Sequence, residues 1–406
     1  MDVPPAPEML ELVASLPAAA PLLRALADAP GAYLVGGAVR DLLLGGRPVD
    51  LDLVVEGDAA IAASRIGDDL VVHDRFGTST VTAGGFTYDV ARARRERYPS
   101  PGALPEVEPA GIDEDLLRRD FTVNAIAVAL DGEQPGAVHA APRAIEDLDG
   151  RLLRVLHDRS FIDDPTRLLR LARYSSRLGF AAEPATEGLA RGALDEAALA
   201  TVSGPRIGAE LRLLAREPDP VAALAALRGL GIDRAVHPSF GLTDEALARR
   251  AIALLGADGR RDRLALAVAA LAVAASELGG LLDALAFEAA DRDAIVAAAS
   301  GAAELARRLA EAVRPSEIAR AAGGAGAEQV ALAGALGPEE PARRWLERLR
   351  HVRLEIDGGD LLGAGVPEGP AVGRGLAAAL AAKLDGAVAG RDDELAVALR
   401  AAQETG

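Results

Sequence analysis

Asp50 and Asp52 stand two residues apart in VDLDLVV (49–55), where carboxylates alternate with aliphatic side chains. In a strand, residues i and i+2 project to one side, so both carboxylates would meet at one spot. Two ionised carboxylates held that close repel each other. A hard divalent cation such as Mg²⁺, which takes oxygen ligands and can bridge to substrate phosphates, relieves the repulsion. The competing reading is the solvated face of an edge strand. Two nearby features bear on the choice. Gly36 and Gly37 fall where a strand passes into a helix, so backbone amides there can approach a phosphate, and Arg40 and Asp41 follow on the same helix. Asp89, in FTYDV, could add a third carboxylate if its strand lies beside VDLDL.

A second cluster lies in FIDDPTRLLRLARYSSRLGF (161–180). Pro165 suits the first turn of a helix, which predicts Asp164 as its N-cap. Arg167 follows at i+3 on the same side. An Arg that donates beside an Asp that accepts can match the hydrogen-bonding edge of cytosine or adenine; equally, the pair could be a cap and a solvated arginine. Arg167, Arg170, Arg173 and Arg177 recur at helical spacing and predict one stripe, with Leu168, Leu171, Ala172 and Leu178 packing elsewhere. Residues 151–180 hold seven Arg against three Asp, a local net charge of +4. Such a stripe is either a solvated face or a phosphate contact.

The elements that would position these residues change character along the chain. Up to about residue 145, strands and helices mix: AYLVGG (32–37), VDLDLVV, DLVVHD (69–74), STVTAG (79–84) and FTYDVARA (86–93) read as strands. The four prolines of RYPSPGALPEVEPAG (97–111) predict irregular structure. FTVNAIAVAL (121–130) could be helix or strand. From Asp163 onward, Leu and Ala recur at i, i+3 and i+4, which predicts helices throughout. The residues thus describe a mixed α/β head carrying a long helical extension.

Composition narrows the class further. A chain of 406 residues is long enough for two to four domains, and its 50% hydrophobic content excludes a disordered or fibrous protein. With no cysteine there is no disulfide framework, thiolate zinc site or thiol nucleophile. The net charge of −17 excludes a protein that coats nucleic acid through bulk attraction. It is compatible with a small RNA held by shape and one local patch of arginine, the residue that accounts for all but one (Lys383) of the basic side chains. The N-terminal residues carry acids where a signal peptide has its positive region, and the longest apolar run, 264–275, is short of a membrane span. A cytoplasmic protein is the expectation.

Taken together, LVGGAVRDLLLGGRPVDLDLVV (34–55), HDRFGTSTV (73–81), RRERYPSPGALPEV (94–107), EDLLRRDFTVNAIAV (114–128) and the 161–180 segment resemble, in order, the motifs of the class II tRNA nucleotidyltransferases and bacterial poly(A) polymerases, within the DNA polymerase β-like superfamily. The resemblance thins to GPRIGAELRLL (204–214) and returns weakly at 358–376. It implies an α+β fold: a mixed-sheet nucleotidyltransferase head (1–145), then an all-α neck (146–215), body (216–290) and RNA-binding tail (291–406). It implies that Asp50 and Asp52 hold two magnesium ions, with Asp89 assisting catalysis. Gly36, Gly37 and Arg40 would meet the triphosphate and ribose; Arg118, Arg119, Asp120 and Asn124 would line the nucleotide pocket. Asp164 and Arg167 would select the base, leaving Arg170, Arg173 and Arg177 to contact RNA.

The implied substrates are ATP, CTP and the 3′ end of tRNA at its acceptor stem, with no membrane or protein partner. The implied reaction is template-independent addition of CCA, with A-adding, CC-adding and poly(A)-adding enzymes sharing the same head motifs. Their differences are expected in a head loop near 92–112 and in the helical body. The absence of a long basic C-terminal extension favours tRNA. Two readings from other classes remain: an HD-type phosphohydrolase, for which His73-Asp74 and His157-Asp158 are the only HD dipeptides, and a catalytically dead RNA-binding module.

Overall fold

The computed structural model describes residues 2–27, 31–73 and 77–403; Asp74, and with it part of the HDRFGTSTV motif, lies outside them. The chain divides into two compact units, Met1–Glu210 with Leu230–Ala235, and Leu211–Gly229 with Val236–Gly406.

The first unit opens with α1 (Ala6–Ala14) and α2 (Ala19–Leu26) and then builds a seven-stranded mixed sheet. Its strands are β1 (Ala32–Val35), β2 (Leu51–Val55), β3 (Asp69–His73), β4 (Thr78–Ala83), β5 (Phe86–Arg92), β8 (Ile126–Ala129) and β9 (Val138–Ala140), in the spatial order β3-β4-β5-β2-β1-β8-β9. Between them in sequence lie α3 (Gly37–Leu43), α4 (Ala59–Ile66), the hairpin strands β6 (Arg94–Arg97) and β7 (Glu106–Pro109), and α5 (Ile112–Leu117).

The sheet forms where aliphatic residues can be covered on both faces. Leu51, Leu53, Val54 and Val55 of β2 are all buried, and Asp52 is the one exposed residue of that strand. A core of Val35, Val54, Ala93, Ile112, Leu116, Ala125, Ala127 and Ala141 seals one face. On the other side of β5, Tyr88 is fully buried and donates to the Ala18 carbonyl, tying the N-terminal helices to the sheet.

Two sequence expectations need correction and one open reading is resolved. The strand predicted over 49–55 begins at Leu51, so Asp50 sits just before it in exposed backbone. The proline-rich 97–111 segment is not wholly irregular: β7 pairs with β6, with Pro109 opposite Arg94. A two-stranded ribbon tolerates Pro where its missing N–H faces no partner. FTVNAIAVAL resolves into a 3₁₀ turn, Thr122–Asn124, followed by β8.

The rest of this unit is helical apart from the paired two-residue strands β10 (Leu152–Leu153) and β11 (Ala181–Ala182). It comprises α6 (Ala144–Gly150), α7 (Ser160–Asp163), α8 (Thr166–Leu178), α9 (Pro184–Asp195) and the start of α10 (Gly204–Ala215).

Among its described residues the second unit is helical throughout. Its longest helix, Ala289–Glu311, packs on Ala327–Ala335, and a C-terminal pair, Pro370–Leu384 and Arg391–Gln403, closes a small core around Leu361, Ala379 and Ala398. There Lys383 donates to Glu394, a fully buried carboxylate. No helix among the described residues is long and apolar enough to cross a membrane.

Candidate active site

β2 and β5 run parallel, and their register places Asp52 directly opposite Asp89. Two carboxylates therefore face the same opening from neighbouring strands, and Thr80 Oγ1 donates to Asp89 Oδ1 at 2.7 Å. Desolvation in the concave wall pushes the Asp52 carboxyl above its ordinary range; Asp89 and Asp50 add to the rise, and Arg119 opposes it. The folded head thus binds this proton more tightly than the unfolded chain does. The stability it contributes is complete below the unfolded value of ~4 and is lost as pH rises through the folded value. Ionised Asp52 therefore costs stability at neutral pH. Asp52→Asn is expected to raise Tm in chelator by about 1–2 °C, and added Mg²⁺ to stabilise the wild type more than the variant; differential scanning fluorimetry reads both.

Above the carboxylates opens a cleft of about 470 Å³, lined by Gly36, Gly37, Asp52 and Asp89 together with Arg118, Arg119, Asp120, Asn124, Asp164, Arg167 and Arg170. Asp50 and Arg40 are absent from this lining. Arg40 is 2% exposed and sits behind the wall, where Nη1 donates to Asn124 Oδ1 and Nε donates to Asp41. Rather than lining the cleft, where it was expected to meet triphosphate and ribose, it holds Asn124, whose Nδ2 donates to Asp120 at 3.0 Å.

Gly36 links β1 to α3 at φ +69°, a conformation that costs glycine nothing. A Cβ there would stand 2.9 Å from Arg119 Nη1. Burial depresses the Arg119 pKa, and its Nε has no partner among the described residues, although Nη2 donates to Asp115 at 3.0 Å. A half-satisfied guanidinium beside a glycine turn has the chemistry to bind phosphate oxygens. Gly36→Ala is expected to displace it and to lower kcat/KM for nucleotide about 10²-fold, measured by steady-state incorporation.

Residues that sequence reading missed hold the arginines in place. Asp115, fully buried, accepts from Arg118 Nε at 2.9 Å, from Arg119, and from the Arg94 backbone N–H at 3.2 Å. Glu96 accepts from Arg94, from Arg118 and, at 3.0 Å, from the Tyr98 hydroxyl. The β6–β7 hairpin thereby forms part of the cleft wall, since Arg94, Glu96, Tyr98, Leu104 and Pro105 line it.

The start of α8 also departs from expectation. Pro165, not Asp164, occupies the N-cap position. The Asp164 Oδ1 nonetheless accepts from Thr166 N at 3.2 Å and from Thr166 Oγ1 at 2.6 Å. Arg167 is 4% exposed and rigidly held: Nη1 donates to Ser160 Oγ at 2.6 Å and Nη2 to the Arg118 carbonyl at 2.7 Å.

The predicted arginine stripe is not a continuous solvent face. Leu168, Leu171 and Ala172 pack as expected, but Arg173 is also buried and pairs with Glu210 at 3.4 Å. Arg170 pairs with Asp120 at 2.7 Å inside the nucleotide-sized cleft. Asp120 stays below the ordinary carboxylate range: burial alone would raise it, but the charge of Arg170 and hydrogen bonds from Asn124 and the Phe121 N–H outweigh that. Arg170 thus lines this cleft, Arg173 is buried beside it outside the lining, and only Arg177 of the three is exposed. Tyr174, with Arg173 4.7 Å from its ring centre, stacks edge-on against Phe121 and completes the wall.

Among the described residues no three His, Cys, Asp or Glu side chains close around one point as a ready-made metal cage. The donor set is instead two opposed carboxylates on an open cleft, an arrangement suited to a hard cation that keeps room for substrate oxygens. His157 lies elsewhere, in a second cavity of about 480 Å³ with Arg159, Asp163 and Arg167; burial and then the charge of Arg167 push its pKa down.

Comparison with known proteins finds relatives of one kind. A family profile described as "Poly A polymerase head domain" matches residues 32–154. An A-adding tRNA nucleotidyltransferase of Geobacter sulfurreducens is 35% identical over 91% of this chain, which spans 45% of that protein's length. A CC-adding tRNA nucleotidyltransferase of Deinococcus radiodurans is 37% identical over 91% of this chain and 88% of its own. Among solved structures, a CCA-adding enzyme in complex with CTP superposes with a TM-score of 0.79 at 29% identity, covering 100% of both chains.

Proposed function

The chain belongs to the family of class II tRNA nucleotidyltransferases and bacterial poly(A) polymerases, and on that premise we propose that it completes the 3′ end of tRNA with CCA, using CTP and ATP without a nucleic-acid template. The observation that carries this reading is the single cleft in which opposed carboxylates, a glycine turn beside a half-satisfied arginine, and an Asp–Arg pair converge.

In the proposed reaction the terminal hydroxyl of the RNA attacks the α-phosphorus of the nucleotide, the bond to the β-phosphate oxygen breaks, and pyrophosphate leaves. Asp52 and Asp89, with Asp50 beside them, are the residues that would hold Mg²⁺. The cation would lower the pKa of the attacking hydroxyl and offset charge on the leaving group. Arg119, backed by Asp115, would receive phosphate oxygens beside Gly36. Asp120, fixed by Arg170 and Asn124, would keep that side of the pocket rigid. Asp164 would accept from the exocyclic amine of cytosine or adenine while Arg167 donates to the neighbouring ring nitrogen; uracil and guanine present the opposite pattern. Most of the rate enhancement would come from positioning and charge.

A CC-adding reading is favoured by the Deinococcus relative, because this chain covers most of that protein's length. Three tRNA transcripts, ending before CCA, after C and after CC, distinguish the alternatives when incubated with Mg²⁺, CTP and ATP. Completion of CCA on all three supports the proposal. Arrest after the second C supports CC addition, A added only to the CC-ending transcript supports A addition, and long A tails on unrelated RNA support poly(A) synthesis.

A further inference from the structure

We propose that Arg206, in the GPRIGAELRLL segment, is the positioning residue that sets base selectivity by locking the orientation of Asp164; this rests on reading Asp164 and Arg167 as the base-selecting pair. Asp164 Oδ1 receives three hydrogen bonds. Two of them, from Thr166, come from its own turn and permit the carboxylate to rock with that turn. The third comes from another element: Arg206 Nη2, at the start of α10, donates at 2.8 Å. All three fall on Oδ1, and among the described residues none falls on the second oxygen, the one left to accept from a base.

The other nitrogen of the same guanidinium, Nη1, donates to the Gly102 carbonyl at 2.8 Å. Gly102 is itself fixed. Its N–H donates to the carbonyls of Ile162 and Asp163, its φ is +70°, and a Cβ there would collide with Thr201. The fork of Arg206 is therefore held at both tips, between an immobile backbone carbonyl and the carboxylate it aims. A planar guanidinium can serve two acceptors in a fixed geometry, whereas a lysine ammonium acts as a single point charge. Arg206 does not line the cleft, so its influence on the base passes through Asp164.

The test compares kcat/KM for CTP, ATP, UTP and GTP on a tRNA transcript lacking CCA, using the full chain and its Arg206→Ala, Arg206→Lys, Asp164→Asn and double Asp164→Asn/Arg206→Ala variants. Arg206→Ala is expected to lower the CTP-over-UTP ratio about tenfold, the scale of one well-aligned base contact, with inhibition by inorganic pyrophosphate unchanged. Arg206→Lys is expected to fall between, and carries the test if the alanine variant unfolds. In the Asp164→Asn background the second substitution is expected to change the ratio little, because both act on one contact. Wild-type selectivity in Arg206→Ala or Arg206→Lys would overturn the proposal. So would an equal fall for all four nucleotides with weakened pyrophosphate inhibition, the mark of a purely structural role. A wild type that adds nucleotides without preference would instead remove the base-selecting reading itself, and this proposal with it.

Discussion

Asp52→Ala is expected to lower nucleotide incorporation by about 10³-fold, the scale lost when one charge-stabilising group leaves an active site, without lowering Tm. The two effects separate because Asp52 is a functional carboxylate kept at a cost. It is the exposed member of an otherwise buried strand, and it faces Asp89 across the parallel pair β2–β5. Removing it relieves repulsion and opens no cavity in the core. Single-turnover incorporation with saturating Mg²⁺, paired with thermal unfolding in chelator, measures both. Activity within tenfold of wild type would remove Asp52 from the chemistry. Asp89→Ala is expected to act in the same direction, and Asp50→Ala to test whether a carboxylate just outside the cleft lining still contributes.

The second large effect is expected at a residue that touches no substrate. Asp115→Ala should destabilise the first unit by about 3–5 kcal/mol, the cost of leaving buried charges without their partner, and should abolish activity in whatever remains folded. Asp115 is fully buried and neutralises two consecutive arginines, Arg118 and Arg119, while accepting the Arg94 N–H that starts the β6–β7 hairpin. Asp115→Asn preserves the shape but withdraws the charge. It is expected to fold and to lose nucleotide affinity, because Arg119 then lacks the anion that aims it. Chemical denaturation of both variants, with nucleotide titration of the Asn form, decides. An Asn variant with wild-type affinity would show that the arginines hold themselves.

These two carboxylates also mark the boundary of what the sequence makes legible. Asp50, Asp52 and Asp89 could be singled out because strand periodicity is local: alternation alone says that Asp52 shares a side with Asp50. That β5 lies beside β2 follows from sheet topology, and the register that opposes Asp52 to Asp89 is visible only in three dimensions. Asp115 carries no such signal. Its helix begins Ile112-Asp113-Glu114-Asp115, and three acids in a first turn read as ordinary compensation of the helix dipole. Only the packing shows that one of the three is sealed from water among arginines.

The stripe on α8 was legible in its spacing but not in its surroundings. Helical spacing correctly grouped Arg167, Arg170 and Arg173 on one side, but periodicity cannot say what covers that side. Asp120 and Glu210, remote in sequence, bury and neutralise it. Arg40 shows the same limit: its helix was legible, its place behind the cleft was not. The hairpin 94–109 was obscured by its prolines, although Arg94, Glu96 and Tyr98 turn out to build the wall against which Arg118 rests.

In the proposed function, amino-acid side chains, with no template strand, choose cytosine and adenine and reject uracil and guanine. The most direct measurement supplies all four nucleoside triphosphates together, with Mg²⁺ and a tRNA transcript lacking its last three residues, and sequences the 3′ ends of the products. The expected result is C, C and A in that order and almost nothing else. Products carrying U or G at frequencies set by nucleotide concentration, or no extension at all, would contradict it.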